Sequence, residues 1–330
     1  MKDLSTNYLG LTLRNPLLVG SCGLTKTAES NRTLAEQGAG AIVLKSLFEE
    51  QIAADLSSNL ENYQADYPEA FEYIRNYTRS NALEEYLDLI ADTRKAIDIP
   101  VIASINCVSG KEWVSFAQSV EKAGASAIEL NISLLPSDPR VTCEHLEQQY
   151  TEIVSKVSSM ISIPLALKMS QYAPALAHLI TRLSWTGKVA GFVLFNRYFR
   201  PDINLQTLKV TKAEIFSSTV EMQESLRWIA LLSGRIDRDF AASTGVHDGP
   251  GLIKQLLVGA AAVQVVTTLY KNGTTQLAVM LKELEAWMEQ KGYERIDQFR
   301  GILSHRQTDN TAAFERIQFM QQYGGIAEGN

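Results

Sequence analysis

Eight short apolar runs, each followed by a helical stretch, constrain this chain more than any other feature. They are Pro16–Cys22 (PLLVGSC), Ala41–Ser46 (AIVLKS), Pro100–Asn106 (PVIASIN) and Ala127–Asn131 (AIELN). Pro164–Ser170 (PLALKMS), Ala190–Asn196 (AGFVLFN), Phe240–Val246 (FAASTGV) and Ala262–Thr268 (AVQVVTT) complete the set. Each is too short for a helix and too continuous for a sheet with one wet face. Strands covered on both sides by crossover helices read this way. Helical patterns lie between them, at Glu29–Gln37, Trp113–Lys122, Glu144–Ser159 and Gly251–Val258. Gly38, Gly124 and Gly259 follow three of these, the preferred residue for a left-handed C-terminal cap. Eight units in order predict a closed parallel (β/α)8 barrel, the TIM barrel, rather than an open doubly wound sheet. Leu4–Leu9 and Leu11–Arg14, pivoting at Gly10, predict a β-hairpin across one end.

The 330 residues suit one barrel domain spanning residues 1–330. A net charge of -6 leaves no global basic field to attract nucleic acid or an anionic membrane. Cys22, Cys107 and Cys143 are widely spaced with no CxxC pair, which argues against a disulfide framework and against a zinc or iron–sulfur cradle. No metal is expected. The opening MKDLSTNYLG lacks a signal-peptide pattern, and no apolar run reaches the roughly 18 residues of a membrane span. A cytoplasmic protein is expected. Trp113, Trp185 and Trp228 fall in helical segments and are expected to pack in the outer ring.

Two regions break the rhythm: the polar, Tyr-rich stretch 49–83 after the second strand, and 197–224 after the sixth. In a barrel both emerge at the C-terminal face, where insertions form a lid, a surface elaboration or a subunit contact. The tail, 277–330, reads as helical and then polar.

Polar residues at the C-terminal strand edges face the reaction site of a barrel. Collected, these are Gly20-Ser21-Cys22-Gly23, Lys45-Ser46, Asn106, Glu129 and Asn131, Lys168, Asn196-Arg197, Thr244-Gly245 and Thr267-Thr268. Lys45 and Lys168, lodged inside apolar strands, are the ones least explained by solvation of a strand end. Amides with a nearby cation suit a cofactor that gains negative charge, as reduced flavin does. STGVHDGPG, a helix and GAAAVQVVTTLYKNG set small residues after strands seven and eight, where loop amides and a helix N-terminus grip phosphate. Alternatively, Gly249 and Gly251 only shape a turn. His247, just after Gly245, is read as a loop residue, with a chemical role as the alternative.

These pieces together resemble the dihydroorotate dehydrogenase family of FMN-dependent barrels, over nearly the whole chain. The matching segments are LGLTLRNPLLVGSCG, GAGAIVLKS, PVIASI, GASAIELNIS, PLALKMS, the strand ending at Asn196, and TGVHDGPGLIKQLLVGAAAVQVVTTLYKNG. The chain starts at the barrel hairpin, as the soluble branch does. The resemblance implies FMN, a small-molecule substrate and a homodimer. It sets Gly20, Ser21 and Gly23 against the isoalloxazine, with Lys45 and Ser46 beside the ring. Asn106 would lie near flavin and substrate, and Asn131 would touch both. Lys168 would support the N1–C2=O edge, so that Lys45, Lys168 and Asn131 form the catalytic group. Asn196 would meet a substrate amide. Thr244, Gly245, Val266 and Thr267 would hold the FMN phosphate.

The family's reaction also needs a Cys or Ser base, and here that position is Leu134, which accepts no proton. Ser133 is adjacent but on the opposite face of an extended chain, and Cys143 lies beyond the loop. The family's carboxylate-gripping asparagine falls in ADYPEAFEYIRNYTRSNALEEYL, where Asn76 and Asn81 both qualify and Tyr77 or Arg79 are alternatives. A base from this loop, such as Tyr77, or a water, is allowed. Arg197 and Arg200 either bind an anionic substrate or pair with Asp202. Three functions follow: an FMN-dependent oxidation of dihydroorotate or a related cyclic amide, a flavin-binding barrel without turnover, or a phosphate-binding Schiff-base lyase or aldolase using Lys45 or Lys168.

Overall fold

The computed structural model describes residues 2–48, 68–107, 113–132, 134–198, 200–212, 214–307 and 314. The chain opens with the hairpin β1 (Thr6–Tyr8) and β2 (Leu11–Leu13), turning through Leu9 and Gly10, both at positive φ. Eight parallel strands then close on themselves. These are β3 (Leu17–Val19), β4 (Ala41–Val43), β6 (Val101–Cys107), β7 (Ala127–Ile132), β8 (Leu165–Met169), β9 (Gly191–Leu194), β12 (Asp239–Ser243) and β13 (Ala262–Val265). The ring shuts where β13 pairs with β3, Val263 opposite Leu17. A two-residue piece, β5 (Leu47–Phe48), continues the second strand beside β6. This is the TIM barrel that the eight runs predict.

Helices α1 (Ala28–Glu36), α2 (Pro68–Ala96), α3 (Trp113–Lys122) and α4 (Cys143–Ser158) clothe the first half. The second half carries α5 (Leu176–Trp185), α6 (Met222–Leu232), α7 (Gly249–Leu257), the short α8 (Thr267–Asn272) and α9 (Gln276–Lys291). Gly38, Gly124 and Gly259 take φ of 108°, 100° and 109° beyond α1, α3 and α7, a region that a Cβ disfavours. Two expectations need correction. Residues 68–83 are not loop but the first half of α2. Trp185 is not packed in the outer ring: it ends α5 with 77% of its surface exposed.

Because strand side chains alternate, each barrel strand has an outer and an inner row. The outer row (Ile128, Leu130 and Ile132 of β7, for example) joins the helices in the main core. The inner row changes character along each strand. At the N-terminal end Leu18, Ala41, Ile102, Ala127, Ala166 and Ala262 form an apolar floor, closed from below by Tyr8, Leu9 and Leu13 of the hairpin. Small floor residues leave room for that plug. Asp239 accepts a 2.7 Å bond from the Leu9 N–H, and Thr6 Oγ1 donates to the Ala261 carbonyl. Two residues further along, the inner row turns polar.

The stretch 197–224 contains the hairpin β10 (Pro201–Asn204) and β11 (Lys209–Lys212), whose residues 201–204 all stand exposed. Its return leg comes back to the mouth. No helix among the described residues is long and apolar enough to cross a membrane.

Candidate active site

The polar inner row begins with Glu129 on β7, Lys168 on β8 and Gln264 on β13. Lys168 Nζ donates to Glu129 Oε1 at 3.1 Å and to Gln264 Oε1 at 2.9 Å, while Gln264 Nε2 donates to Glu129 Oε2. Glu129 is 1% exposed and Lys168 9%. A buried cation is tolerable only when paired and hydrogen-bonded, and here every partner is supplied by another strand. The result is a fixed ammonium at the centre of the mouth. Gly20 sits beside it, where a Cβ would come within 3.3 Å of Gln264 Oε1 and 3.0 Å of Val266.

A second belt crosses the ends of β3, β4, β6 and β7. Ser21 Oγ lies 2.9 Å from Ser46 Oγ and accepts from the Ser46 N–H at 2.8 Å. Ser46 Oγ lies 2.7 Å from Ser104 Oγ, which accepts from Asn131 Nδ2 at 3.1 Å. The other end of that amide is unsatisfied: Asn131 Oδ1 is buried with no hydrogen-bond partner. Such an acceptor costs about 1–3 kcal/mol when left alone, and a donor on a bound ligand would meet it. Asn106 stands opposite Asn131 in register.

The belt is fixed from behind by Tyr86 of α2. Its hydroxyl donates to the Ser104 carbonyl at 3.0 Å and accepts from the Ser104 N–H at 2.8 Å. Tyr86→Phe leaves that buried N–H and carbonyl unpaired. Its unfolding free energy is expected to fall by about 1–3 kcal/mol, read as a lower denaturant midpoint at unchanged slope. An unaltered midpoint would show that β6 does not lean on α2.

At the rim, burial lowers the pKa of the half-buried Lys45 ammonium, with Cys22 pushing it the other way. Burial raises that of the Cys22 thiol, although bonds from the Leu24 backbone and the Tyr270 hydroxyl oppose the rise. Gly23 leaves the space that Tyr270 fills, since a Cβ there would stand 2.7 Å from its hydroxyl.

The expected phosphate region divides in two. The N-terminus of α7 is already occupied: Gly251 N–H donates to Asp248 Oδ1 at 2.8 Å and Gly249 N–H to Glu283 Oε2 at 2.6 Å. These amides shape and cap a helix, so the expected grip of that helix end on a phosphate is corrected. Thr244 and Gly245 lie at positive φ of 76° and 81°, with the Thr244 hydroxyl bonded to the Phe195 carbonyl. β13 ends at Val265, so Val266 and Thr267 do not extend the strand but begin α8. Thr267 Oγ1 accepts from the Ser217 N–H at 3.2 Å and from Ser217 Oγ at 3.0 Å. His247 Nε2 lies 3.2 Å from the same Ser217 hydroxyl. Burial lowers the His247 pKa, and the Lys271 ammonium adds to this.

Ser217 is a site residue that the sequence does not single out. It belongs to the return leg of the excursion, fifty residues from Thr267, and only its side-chain hydroxyl hints at the contact.

Asn196 follows β9, and its N–H donates to the Met169 carbonyl at 2.8 Å, which ties the end of β9 to the end of β8. Arg197 points elsewhere. Its Nε meets Glu221 Oε2 at 2.9 Å, and its other nitrogens donate to the carbonyls of Glu214, Ile215 and Phe216. Arg200 also reaches Glu221, at 3.2 Å. Both arginines therefore brace the return leg, pairing with Glu221 rather than with the expected Asp202. Leu134 is partly buried and packs on the main core. Cys143 is exposed at the start of α4. Ser133 and the side chains of Asn76, Tyr77 and Arg79 lie outside the described residues, while Asn81 donates to Glu85 along α2.

The fold and this mouth define a parallel barrel with a buried lysine, a hydroxyl–amide belt and a small-residue rim on the same face. The sequence model of the family described as Dihydroorotate dehydrogenase matches residues 3–288, and the chain belongs to that family. It is 25% identical over 318 residues to the "Dihydroorotate dehydrogenase B (NAD(+)), catalytic subunit" of Thermoplasma volcanium, covering 93% of this chain and 100% of that one. It is 22% identical over 320 residues to the protein of the same description from Pyrococcus furiosus, covering 91% and 98%. Against the "Dihydroorotate dehydrogenase A (fumarate)" of Lactococcus lactis the identity is 23% over 320 residues, covering 91% and 99%.

Proposed function

We propose that this chain is an FMN-dependent dehydrogenase that oxidises dihydroorotate to orotate. Membership of the family supports the reaction, and one observation carries the cofactor: a paired, buried Lys168 beside the unpartnered Asn131 Oδ1. A planar ring with alternating donors and acceptors fits that pairing, since a ring N–H would satisfy Asn131 and a ring carbonyl would sit by the ammonium. FMN, when bound, supplies the two-electron acceptor. The protein's own residues do the remainder. Lys168 places positive charge where negative charge develops, in a site walled off from below by the apolar floor. Ser21, Ser46 and Asn131 orient the ring plane. Thr244, Gly245, Val266 and Thr267, joined by Ser217, would hold the phosphate. Asn131 and Asn196 fix the substrate's amide edge. A Schiff-base role for Lys168 has less support, because its nitrogen is tied down by Glu129 and Gln264.

The test is the visible spectrum of the purified protein after incubation with FMN or riboflavin and dialysis. Flavin absorbance is expected to stay with FMN, at least about tenfold more tightly than with riboflavin, a difference of about 1.4 kcal/mol for the phosphate. Anaerobic dihydroorotate should then bleach it. A colourless protein that takes up neither flavin would end this reading.

A further inference from the structure

We propose that Tyr198 takes the C5 proton of the substrate, the task that Leu134 does not perform. The assignment rests on the function proposed above. Tyr198 stands two residues beyond Asn196, and its hydroxyl is buried without a hydrogen-bond partner. A buried hydroxyl is unfavourable when left in that state, and at the mouth a ligand would complete it.

Three contacts locate it. Its ring lies 5.9 Å from that of Tyr172, which follows β8. Its hydroxyl raises the pKa of Tyr150, after the larger effect of Tyr150's own burial. The Tyr150 hydroxyl in turn donates to the Ile132 carbonyl at 3.3 Å. Ile132 is the last residue of β7, two positions before Leu134. The orphaned phenol therefore stands on the β7–β9 side of the mouth, against the strand end from which the family's base projects. It also lines, with Gln171, Asn196, Ser243 and Thr244, a cavity of about 40 Å³. That space admits a water, through which the phenol's own proton leaves for solvent.

The step balances. The C5–H bond breaks toward the deprotonated Tyr198 oxygen, the C6 hydride departs with two electrons to the flavin, and the C5 pair becomes the C5=C6 double bond. The ionisable groups around this phenol are Tyr150, Tyr172, Arg197, Arg200, Glu221 and Glu224. Both arginines are paired with Glu221, so the pH profile is read as a difference between wild type and Tyr198→Phe.

The experiment compares wild type, Tyr198→Phe and Tyr198→Phe/Leu134→Cys, all loaded with FMN. Orotate binding is read from the flavin spectral shift, stability from Tm, and bleaching by dihydroorotate from anaerobic stopped flow at several pH values. Tyr198→Phe removes only an unpartnered hydroxyl, so its Tm should equal or exceed that of wild type, with the orotate shift retained. Its bleaching rate should fall about a hundredfold or more and lose its rise with pH. Adding Leu134→Cys should restore bleaching in part, because it returns a base to the neighbouring strand end. The assignment is overturned if Tyr198→Phe bleaches at the wild-type rate with the wild-type pH profile. Loss of the orotate shift in that variant overturns it too, showing a binding role instead. A wild type that binds orotate yet never bleaches sinks the proposed reaction itself, and is distinguished by its own trace rather than by the variant's.

Discussion

Lys168→Met is expected to lower the unfolding free energy by about 3–5 kcal/mol, because it strands the Glu129 carboxylate in the barrel with no cation beside it. The same change should slow flavin reduction about 10²–10³-fold, the usual cost of deleting a preorganised group aimed at developing charge. The two effects are separable. In a triple variant, Lys168→Met/Glu129→Leu/Gln264→Leu, the whole polar set gives way to apolar side chains of similar size. Replacement of a buried ionic set in this way is often neutral or stabilising, so the triple variant should regain most of the lost stability while staying slow. Urea midpoints and anaerobic stopped-flow traces read the two quantities. A single variant as stable as wild type would mean that the pair is not felt by the fold. A triple variant reduced at the wild-type rate would remove the lysine from the chemistry.

Gly245→Ala should damage both the fold and the rim of the mouth. The position has φ of 81°, and a Cβ there would run into the Met222 nitrogen and stand 2.9 Å from the Ser218 carbonyl. The left-handed conformation costs a non-glycine residue about 1–2 kcal/mol, and forced backbone movement about 1–3 kcal/mol more. The segment that must yield adjoins Ser217, so its bonds to Thr267 are expected to open. FMN affinity should fall at least about tenfold, or 1.4 kcal/mol, while riboflavin affinity changes little. Fluorescence titration with the two flavins measures this directly. Gly292→Ala is the control: its φ is 76°, but no atom lies within 4 Å of the added methyl. If both variants lose stability equally and FMN binding stays intact, the crowding at Gly245 is not what shapes the rim.

Much of this architecture is legible in the sequence because two periodicities carry it. The eight apolar runs are strands because both of their faces are covered, and glycines end the helices where a Cβ would be strained. Lys168 and Asn131 stand out as polar residues inside apolar strands, and the inward row places them at the mouth. What the sequence conceals is pairing over distance. Glu129 meets Gln264 across 135 positions, and nothing local in either strand announces the other. Tyr86 and Ser217 hide for the same reason: each lies in a segment whose pattern says only "polar", and each is recruited by a strand end it does not adjoin. Arg197 misleads in the opposite direction. An arginine at a strand end reads as an anion contact, yet a carboxylate and three carbonyls on the return leg engage it first.

The hairpin floor has a consequence for how the protein is made. Leu9 and Thr6 find their partners 230 and 255 residues later, at Asp239 and Ala261. At ribosomal rates of about 5–20 residues per second, the hairpin waits roughly 10–50 s before those partners are synthesised. Through that interval Tyr8, Leu9 and Leu13 belong to no finished core. The nascent chain thus carries a sticky hairpin until the segment around Asp239 and Ala261 has emerged to cover it.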